Sequence, residues 1–225
     1  MKPDLSLSYV HKPAPNAPEN APLVIMLHGY GSHENDLFEM AHALPENQHY
    51  VSLRAPHDLG FGGFAWYALS MEGGQVRTAD PAQARKAMEA IHTFIGEYRE
   101  AFNLAEAPLH LLGFSQGAIL AYAYAFNYPR EVQRLIAMSG YILKAIVPDH
   151  YRPDDLRHLK IFVSHGKEDQ VIPIQAARKT VEFLEKLGLS HQYQEYNTGH
   201  GVAPENFRDL QQWYRGQRSP QESPN

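Results

Sequence analysis

Residues 109–117 read Leu-His-Leu-Leu-Gly-Phe-Ser-Gln-Gly, a short apolar run that leads directly into a Gly-x-Ser-x-Gly pentapeptide. A helical pattern without charged residues follows over residues 116–126. The segment therefore predicts a buried strand, a sharp turn that carries Ser115, and a helix. Side chains two residues before and after the serine would collide with neighbouring backbone, which accounts for Gly113 and Gly117. At the helix N-terminus, backbone N–H groups favour a developing oxyanion near Ser115.

Short apolar runs alternate with amphipathic stretches along the rest of the chain. Further strands are predicted at residues 23–27, 50–53, 135–138, 161–163 and 191–196, and further helices at 36–44, 80–102, 175–187 and 204–214. Apolar runs of this length are typical of strands buried on both faces. The pattern predicts an α/β fold with a doubly wound, mostly parallel sheet and helices on both faces. The interval between residues 138 and 161 is too short for a large cap domain.

The chain has 225 residues, of which 44% are hydrophobic, so one domain with a sizeable core is expected. We predict a single domain over residues 1–215 and a flexible tail over residues 216–225, where the sequence has little to bury. The net charge of −5 argues against a nucleic-acid partner. The oligomeric state is left open, with a homodimer among the alternatives.

Cysteine is absent, which excludes disulfides, a thiol nucleophile and a Cys-ligated zinc ion. The first residues lack the continuous apolar run of a signal peptide, and no apolar stretch approaches the roughly 18 residues of a membrane span. The sequence therefore predicts a cytoplasmic protein without stable membrane insertion.

Ser115 is the predicted nucleophile, and the alternative is an N-cap serine in a glycine-bounded turn. A serine nucleophile needs a general base, and in this strand–turn–helix context the base follows an acid further along the chain. His200 lies between two glycines, after the last alternating strand and before the final helix. His191 is the competitor, but it opens that strand and is expected at the opposite end of the sheet. His200 is the predicted base, and the alternative is a turn histidine that faces solvent.

Asp169 is the predicted acid, because it lies in the loop that follows the strand at residues 161–163. Its neighbour Glu168 should point elsewhere. Asp154 and Asp155 precede the strand and are expected at the wrong end of the sheet. The alternative for Asp169 is a solvated loop acid or a helix cap.

The turn after the first buried strand reads His28-Gly-Tyr30-Gly-Ser32. Such a turn directs backbone N–H groups towards the nucleophile. We predict that the backbone N–H groups of Tyr30 and Gln116 form an oxyanion hole. His28 is expected to brace this loop by hydrogen bonds.

Residues 56–78 form a long connection that is rich in aromatic residues and glycine. Long connections in compact domains are usually functional, so we predict that this one forms a wall of the acyl pocket. Its proposed substrate-binding residues are Phe64, Trp66 and Tyr67, with Val171 from the acid loop. The alternative is a hydrophobic flap that covers the sheet edge, and the sequence leaves open whether the connection moves as a lid.

Together these stretches resemble the phospholipase/carboxylesterase family of α/β-hydrolases, which includes the acyl-protein thioesterases. The similarity rests on Leu27-His-Gly-Tyr-Gly31, Arg54-Ala-Pro56, Trp66, Gly113-Phe-Ser-Gln-Gly117, His165-Gly-Lys-Glu-Asp169, Val171-Ile-Pro173 and Gly199-His200. The resemblance implies the α/β-hydrolase fold, the triad Ser115, Asp169 and His200, and the oxyanion donors Tyr30 and Gln116. Ala118 departs from the further glycine of many relatives, but it is still small.

The predicted function is a serine hydrolase that cleaves carboxylic esters, with thioesters or lysophospholipids as further candidates, through an acyl-serine intermediate. The expected partner is a small-molecule or acylated substrate, with no cofactor. A non-catalytic ligand-binding module on the same fold is the alternative. A zinc hydrolase is a third, but His33-Glu34 lacks a second histidine at residue 37, so no metal is expected.

Overall fold

The structure is a computed structural model that describes residues 3–15, 20–72, 75–150 and 152–216. The strands are β1 (Tyr9–Lys12), β2 (Leu23–Leu27), β3 (His49–Leu53), β4 (His57–Asp58), β5 (Phe64–Ala65), β6 (Leu69–Glu72), β7 (Gln75–Ala79), β8 (Leu109–Phe114), β9 (Val132–Met138), β10 (Lys160–Gly166) and β11 (His191–Tyr196). The α-helices are α1 (Glu34–Phe38), α2 (Pro81–Ala101), α3 (Gln116–Asn127), α4 (Ile174–Lys186) and α5 (Pro204–Tyr214).

Seven strands form the central sheet in the order β1-β3-β2-β8-β9-β10-β11. All neighbours pair in parallel except β1, which pairs antiparallel with β3 at the edge. The predicted mostly parallel sheet is therefore confirmed. Because β3 lies on one side of β2 and β8 on the other, the loops after β2 and β8 diverge. A crevice at such a switch point is where open α/β sheets bind ligands.

Side chains of β2 alternate between two hydrophobic layers, as a strand period of two requires. Leu23, Ile25 and Leu27 pack in the layer that contains α2, α3 and part of α4. Val24 and Met26 pack in the opposite layer, with residues of α1 and α5. The helices thus cover both faces of the sheet, as predicted.

Two segments differ from the sequence-based prediction in detail. The helix predicted at residues 36–44 is instead the short α1, followed by a 3₁₀ helix at Glu39–His42. The connection at residues 56–78 contains two small antiparallel pairs, β4 with β5 and β6 with β7. Neither pair has the sustained alternation of apolar residues that identifies a strand from sequence.

Between β9 and β10 the described residues form two 3₁₀ helices, Lys144–Ile146 and Pro153–Leu156, in agreement with the prediction of no large cap domain. The predicted tail at residues 216–225 lies outside the described residues except for Gly216. None of the helices in the described ranges combines the length and hydrophobicity that a membrane-spanning segment needs.

Candidate active site

Ser115 occupies a strained turn between β8 and α3. Its backbone has φ 53° and ψ −116°, a region that non-glycine residues rarely adopt. The surrounding structure holds it there, since its N–H donates to the Met138 carbonyl at 2.9 Å. The crowding predicted around this turn is present, because a Cβ added to Gly117 would overlap the carbonyl oxygen of Leu27. Only glycine therefore permits this close approach of α3 to the end of β2.

Three loops bring Ser115, His200 and Asp169 together at the carboxyl edge of the sheet. His200 Nε2 lies 2.9 Å from Ser115 Oγ. On the other side of the ring, His200 Nδ1 lies 2.7 Å from Asp169 Oδ2. A carboxylate can only accept, so Nδ1 carries the proton and Nε2 is free to accept the proton of the serine hydroxyl. The arrangement can deprotonate Ser115 and stabilise the resulting imidazolium.

The carboxylate of Asp169 is fixed by its own loop. Its side chain is buried, and Oδ1 accepts the backbone N–H groups of Val171 and Ile172, both at 2.8 Å. This leaves Oδ2 for His200. Glu168 is exposed, as expected, and does not share the site. Its neighbour Asp169 is thus held in one orientation by two backbone donors.

The loop after β2 runs alongside the nucleophile turn. Gly31 has φ 78°, and its N–H donates to the Phe64 carbonyl at 2.9 Å. In the described part of the chain, the backbone N–H groups of Tyr30 and Gln116 have no backbone acceptor. Tyr30 and Gln116 line the same cleft as Ser115, so these two N–H groups are candidates for the donors that an oxyanion hole requires.

His28 stabilises this loop by hydrogen bonds of its ring, as predicted. Its Nδ1–H donates to the Gly29 carbonyl at 2.7 Å, and Nε2 accepts the backbone N–H of Ala55 at 3.0 Å. Burial lowers the pKa of His28, so the ring stays neutral and keeps one donor and one acceptor. The indole N–H of Trp66 donates to the His28 carbonyl at 2.9 Å.

A cleft of about 630 Å³ opens beside Ser115, and we name it the first cleft. Its lining residues are mostly apolar and carry no Asp, Glu, Lys or Arg among those described: Tyr30, Tyr67, Leu69, Ala79, Ser115, Gln116, Ile119, Tyr141, Val171, Ile172, Pro173, Ala176 and His200. Of the four residues expected to bind substrate, Tyr67 and Val171 lie in this wall.

Trp66 and Phe64 are placed differently from the expectation. Trp66 is fully buried, and neither residue belongs to the described lining of the first cleft. Trp66 holds the His28 carbonyl, as described above. Phe64 pairs through its backbone with Ser32, and its ring lies 4.7 Å from the guanidinium of Arg54. Both residues therefore contact the loop after β2 or its neighbours and lie outside the described lining of the first cleft.

A sequence model of the phospholipase/carboxylesterase family matches residues 12–215. The chain belongs to the phospholipase/carboxylesterase family. Acyl-protein thioesterase 1 of Candida albicans is 27% identical over 213 residues, which are 88% of this chain and 91% of the relative. The crystal structure of esterase PE8 has a TM-score of 0.77 and 27% identity, covering 93% of this chain and 98% of that one. A Bacillus cereus carboxylesterase, at 18% identity and a TM-score of 0.80 over 93% of this chain and 94% of its own, shares the fold.

Membership of this family confirms the resemblance drawn from the sequence motifs, and with it the prediction that the chain is an enzyme, an acyl hydrolase of the serine hydrolase class. Two polar residues make contacts that were not predicted from the sequence. Both lie within motifs that carried the resemblance, but a motif does not say what a side chain touches.

The first of these residues is Gln116, whose side chain was not assigned a role. Its Oε1 accepts the backbone N–H of Trp66 at 2.9 Å, and its Nε2 donates to the Tyr67 carbonyl at 2.8 Å. The glutamine of the pentapeptide thus fixes the segment that carries Tyr67, which forms one wall of the first cleft.

The second is His165, which is buried beside Asp169. Its Nε2–H donates to the Ile172 carbonyl at 2.7 Å and lies 3.3 Å from Asp169 Oδ2. The ring therefore holds the far end of the acid loop. Among the described residues, no group of three or more His, Asp or Glu side chains could hold a metal ion.

Proposed function

We propose that this family member hydrolyses carboxylic esters and thioesters through an acyl-Ser115 intermediate. The observation that carries the proposal is the continuous hydrogen-bond chain from Ser115 Oγ through His200 to Asp169. Isolated serine is a poor nucleophile, and this chain supplies the base and the group that orients it.

In the first half-reaction, Ser115 Oγ attacks the acyl carbon while His200 Nε2 takes the hydroxyl proton. The carbonyl oxygen becomes an oxyanion, and the backbone N–H groups of Tyr30 and Gln116 would receive it. The bond to the leaving group then breaks, and its oxygen or sulfur takes the proton from His200. In the second half-reaction, His200 removes a proton from water as the water oxygen attacks the acyl carbon. The bond between the acyl carbon and Ser115 Oγ then breaks, Oγ takes the proton back from His200, and the carboxylic acid leaves.

The acyl group would lie in the first cleft. Support comes from its apolar lining, which favours an uncharged hydrocarbon chain, and from its direct contact with Ser115. Thioester cleavage is included because a relative of similar length bears the name acyl-protein thioesterase 1. The preferred acyl length stays open, and so does the oligomeric state. The cytoplasmic location and the lack of a nucleic-acid partner stay predictions.

A fluorophosphonate that reacts with activated serines tests the proposal. The protein should be labelled at Ser115, and p-nitrophenyl butyrate should give a burst of one p-nitrophenol per chain. Ser115→Ala should abolish both signals, whereas Ser190→Ala, at an exposed serine after α4, should keep them. A panel of p-nitrophenyl esters of graded acyl length, with one thioester, would then define the substrate.

A folded protein that takes no label and cleaves none of these esters would contradict the proposal. Binding of an acyl ester without turnover would instead support the alternative, a ligand-binding module. The observation against that alternative is the alignment of all three side chains at hydrogen-bond distances, which binding alone does not need.

A further inference from the structure

A second cleft, of about 580 Å³, shares His200 with the first cleft and none of its other described lining residues. One wall comes from α1 and the 3₁₀ helix that follows it, and the other from the start of α5 and the residues before it. Its larger apolar lining side chains are Leu37, Met40, Phe114, Val202, Pro204 and Phe207. His200 lines both clefts, so the two meet at the proposed general base.

We infer that this second cleft receives the leaving group of the ester, and that it selects an uncharged, apolar alcohol or thiol. The inference rests on the proposed function. It goes further by assigning a binding site to the departing half of the substrate.

The position of His200 gives the direction of the substrate across the site. The leaving oxygen must reach His200 Nε2 to take its proton as the C–O bond breaks, with the bond electrons staying on that oxygen. Ser115, Tyr30 and Gln116 line the first cleft, and none of the three is among the described residues of the second. With the acyl carbon on Ser115 and its oxygen towards Tyr30 and Gln116, the acyl chain extends into the first cleft. The leaving group then extends past His200 into the second.

The chemistry of the second cleft indicates what it would accept. Phe114 is among its lining residues, and the centroid of its ring lies 5.0 Å from that of the His200 ring. Of the described lining residues, Asp36 alone carries a full charge; it lies at the exposed rim, where it accepts a hydrogen bond from Ser32 Oγ at 2.6 Å. An anionic leaving group, such as a glycerol phosphate, would therefore meet the Asp36 carboxylate, and the described lining offers it no cation except the transient imidazolium of His200.

Butyrate esters that differ only in the alcohol test the inference. Ethyl, benzyl and 4-carboxybenzyl butyrate give the same acyl-enzyme from alcohols of similar basicity. We expect kcat/KM to be about tenfold higher for the benzyl than for the ethyl ester, because the phenyl ring gains apolar burial. The 4-carboxybenzyl ester should fall several-fold below the benzyl ester, and Asp36→Asn should reduce that difference.

A pair of tryptophan substitutions separates the two clefts. Met40→Trp, in the second cleft, should lower the benzyl-to-ethyl ratio of kcat/KM and leave the hexanoate-to-acetate ratio of ethyl esters unchanged. Ala176→Trp, in the first cleft, should lower the hexanoate-to-acetate ratio and leave the benzyl-to-ethyl ratio unchanged. Both side chains are half-buried, which leaves space for the larger ring.

The inference is overturned if the wild type does not distinguish benzyl from ethyl esters, or if Ala176→Trp and not Met40→Trp changes the alcohol ratio. In either case, fluorophosphonate labelling of Ser115 and the p-nitrophenol burst would leave the proposed function intact. A wild type that shows neither label nor burst would overturn the proposed function, and the inference with it.

Discussion

The side-chain amide of Gln116 is paired with the backbone of Trp66, whose N–H donates to Oε1 at 2.9 Å. The residue that follows Ser115 thereby links two structures. Its backbone begins α3, and its side chain, which also donates to the Tyr67 carbonyl at 2.8 Å, holds the segment that carries the wall residue Tyr67. The nucleophile turn and the cleft wall are therefore positioned by the same residue.

Gln116→Met preserves the side-chain length and removes both hydrogen bonds. Leaving the buried N–H of Trp66 unpaired should lower the free energy of unfolding by about 1–3 kcal/mol. The substitution would also remove the hydrogen bond to the Tyr67 carbonyl, so this wall of the first cleft should shift. We therefore expect kcat for p-nitrophenyl butyrate to fall about tenfold, because the acyl group would be less well positioned. Urea unfolding and steady-state kinetics measure the two effects.

Gln83→Met is the matched control. Gln83 Oε1 also accepts a hydrogen bond from a backbone N–H, that of Ala68 at 2.9 Å. This hydrogen bond is exposed, and neither residue belongs to the described lining of either cleft. Gln83→Met should therefore cost little stability and leave kcat within about twofold of the wild type, as surface substitutions usually do. If Gln116→Met lost stability and kept its kcat, the amide would serve folding alone.

Asp169→Asn tests how the acid acts on His200. The asparagine Oδ1 can still accept the N–H groups of Val171 and Ile172, so the loop should keep its shape. Its amide would instead present a donor to His200 Nδ1, which favours the tautomer with the proton on Nε2. That tautomer cannot accept the proton of Ser115, so kcat should fall on the order of 10³–10⁴-fold.

The matched change for Asp169→Asn is Glu168→Gln, one residue earlier on the exposed side of the same loop. It should leave kcat close to that of the wild type. Circular dichroism and thermal unfolding would check that both variants stay folded. An Asp169→Asn variant with kcat within tenfold of the wild type would mean that the carboxylate does not set the tautomer.

The sequence predicted what depends on strong local signals. The buried strands and the helices were predicted from hydrophobic period, and the positions of Ser115, Asp169 and His200 from the rule that parallel strands end at one edge. The prediction was less accurate for segments whose structure depends on residues that are distant in the sequence. Strands β4 and β5 have two residues each, and β5 also pairs through Phe64 with Ser32 in the loop after β2, a partner that the local sequence does not reveal.

The role expected for Trp66 shows the same limit. A large aromatic side chain in a long connection is typical of a pocket wall, and the sequence cannot say towards which side its ring turns. In the structure the indole faces inward, because its N–H has an acceptor in the carbonyl of His28. Tyr67, its neighbour, occupies the wall. Both side chains are fully buried in this bend, and of the two only Tyr67 is among the described residues that line the first cleft.

Gly117→Ala should be severely destabilising, because the added methyl group would overlap the Leu27 carbonyl, a fixed backbone atom of β2. We expect a loss of at least about 3 kcal/mol in the free energy of unfolding, or no folded protein. Gly96→Ala is the control within a helix: a Cβ there meets nothing within 4 Å. In the middle of α2, alanine should stabilise by about 0.5–1 kcal/mol. Equal effects of the two changes on thermal unfolding would refute the packing argument.

His110 makes stability depend on pH. Burial, as the largest cause, lowers its pKa to about 4 from an ordinary value of 6.5. Between these two values the unfolded chain binds a proton that the folded chain does not. The contribution of His110 is therefore complete above about pH 6.5 and is lost as the pH falls towards 4, by roughly 3 kcal/mol in all. Of this loss, about 2 kcal/mol in the free energy of unfolding should appear between pH 7 and pH 5, which urea unfolding at the two pH values measures.

His110→Phe removes the titrating group from the layer beside Tyr214, whose ring centroid lies 5.9 Å away, and keeps an aromatic ring there. The difference in unfolding free energy between pH 7 and pH 5 should therefore shrink by about 2 kcal/mol. Part of the slope should persist, because burial also lowers the pKa values of His28 and His49. His150→Phe, at an exposed histidine, controls for the loss of a histidine as such. If His110→Phe kept the full pH difference, the acid sensitivity would have to arise from other buried groups.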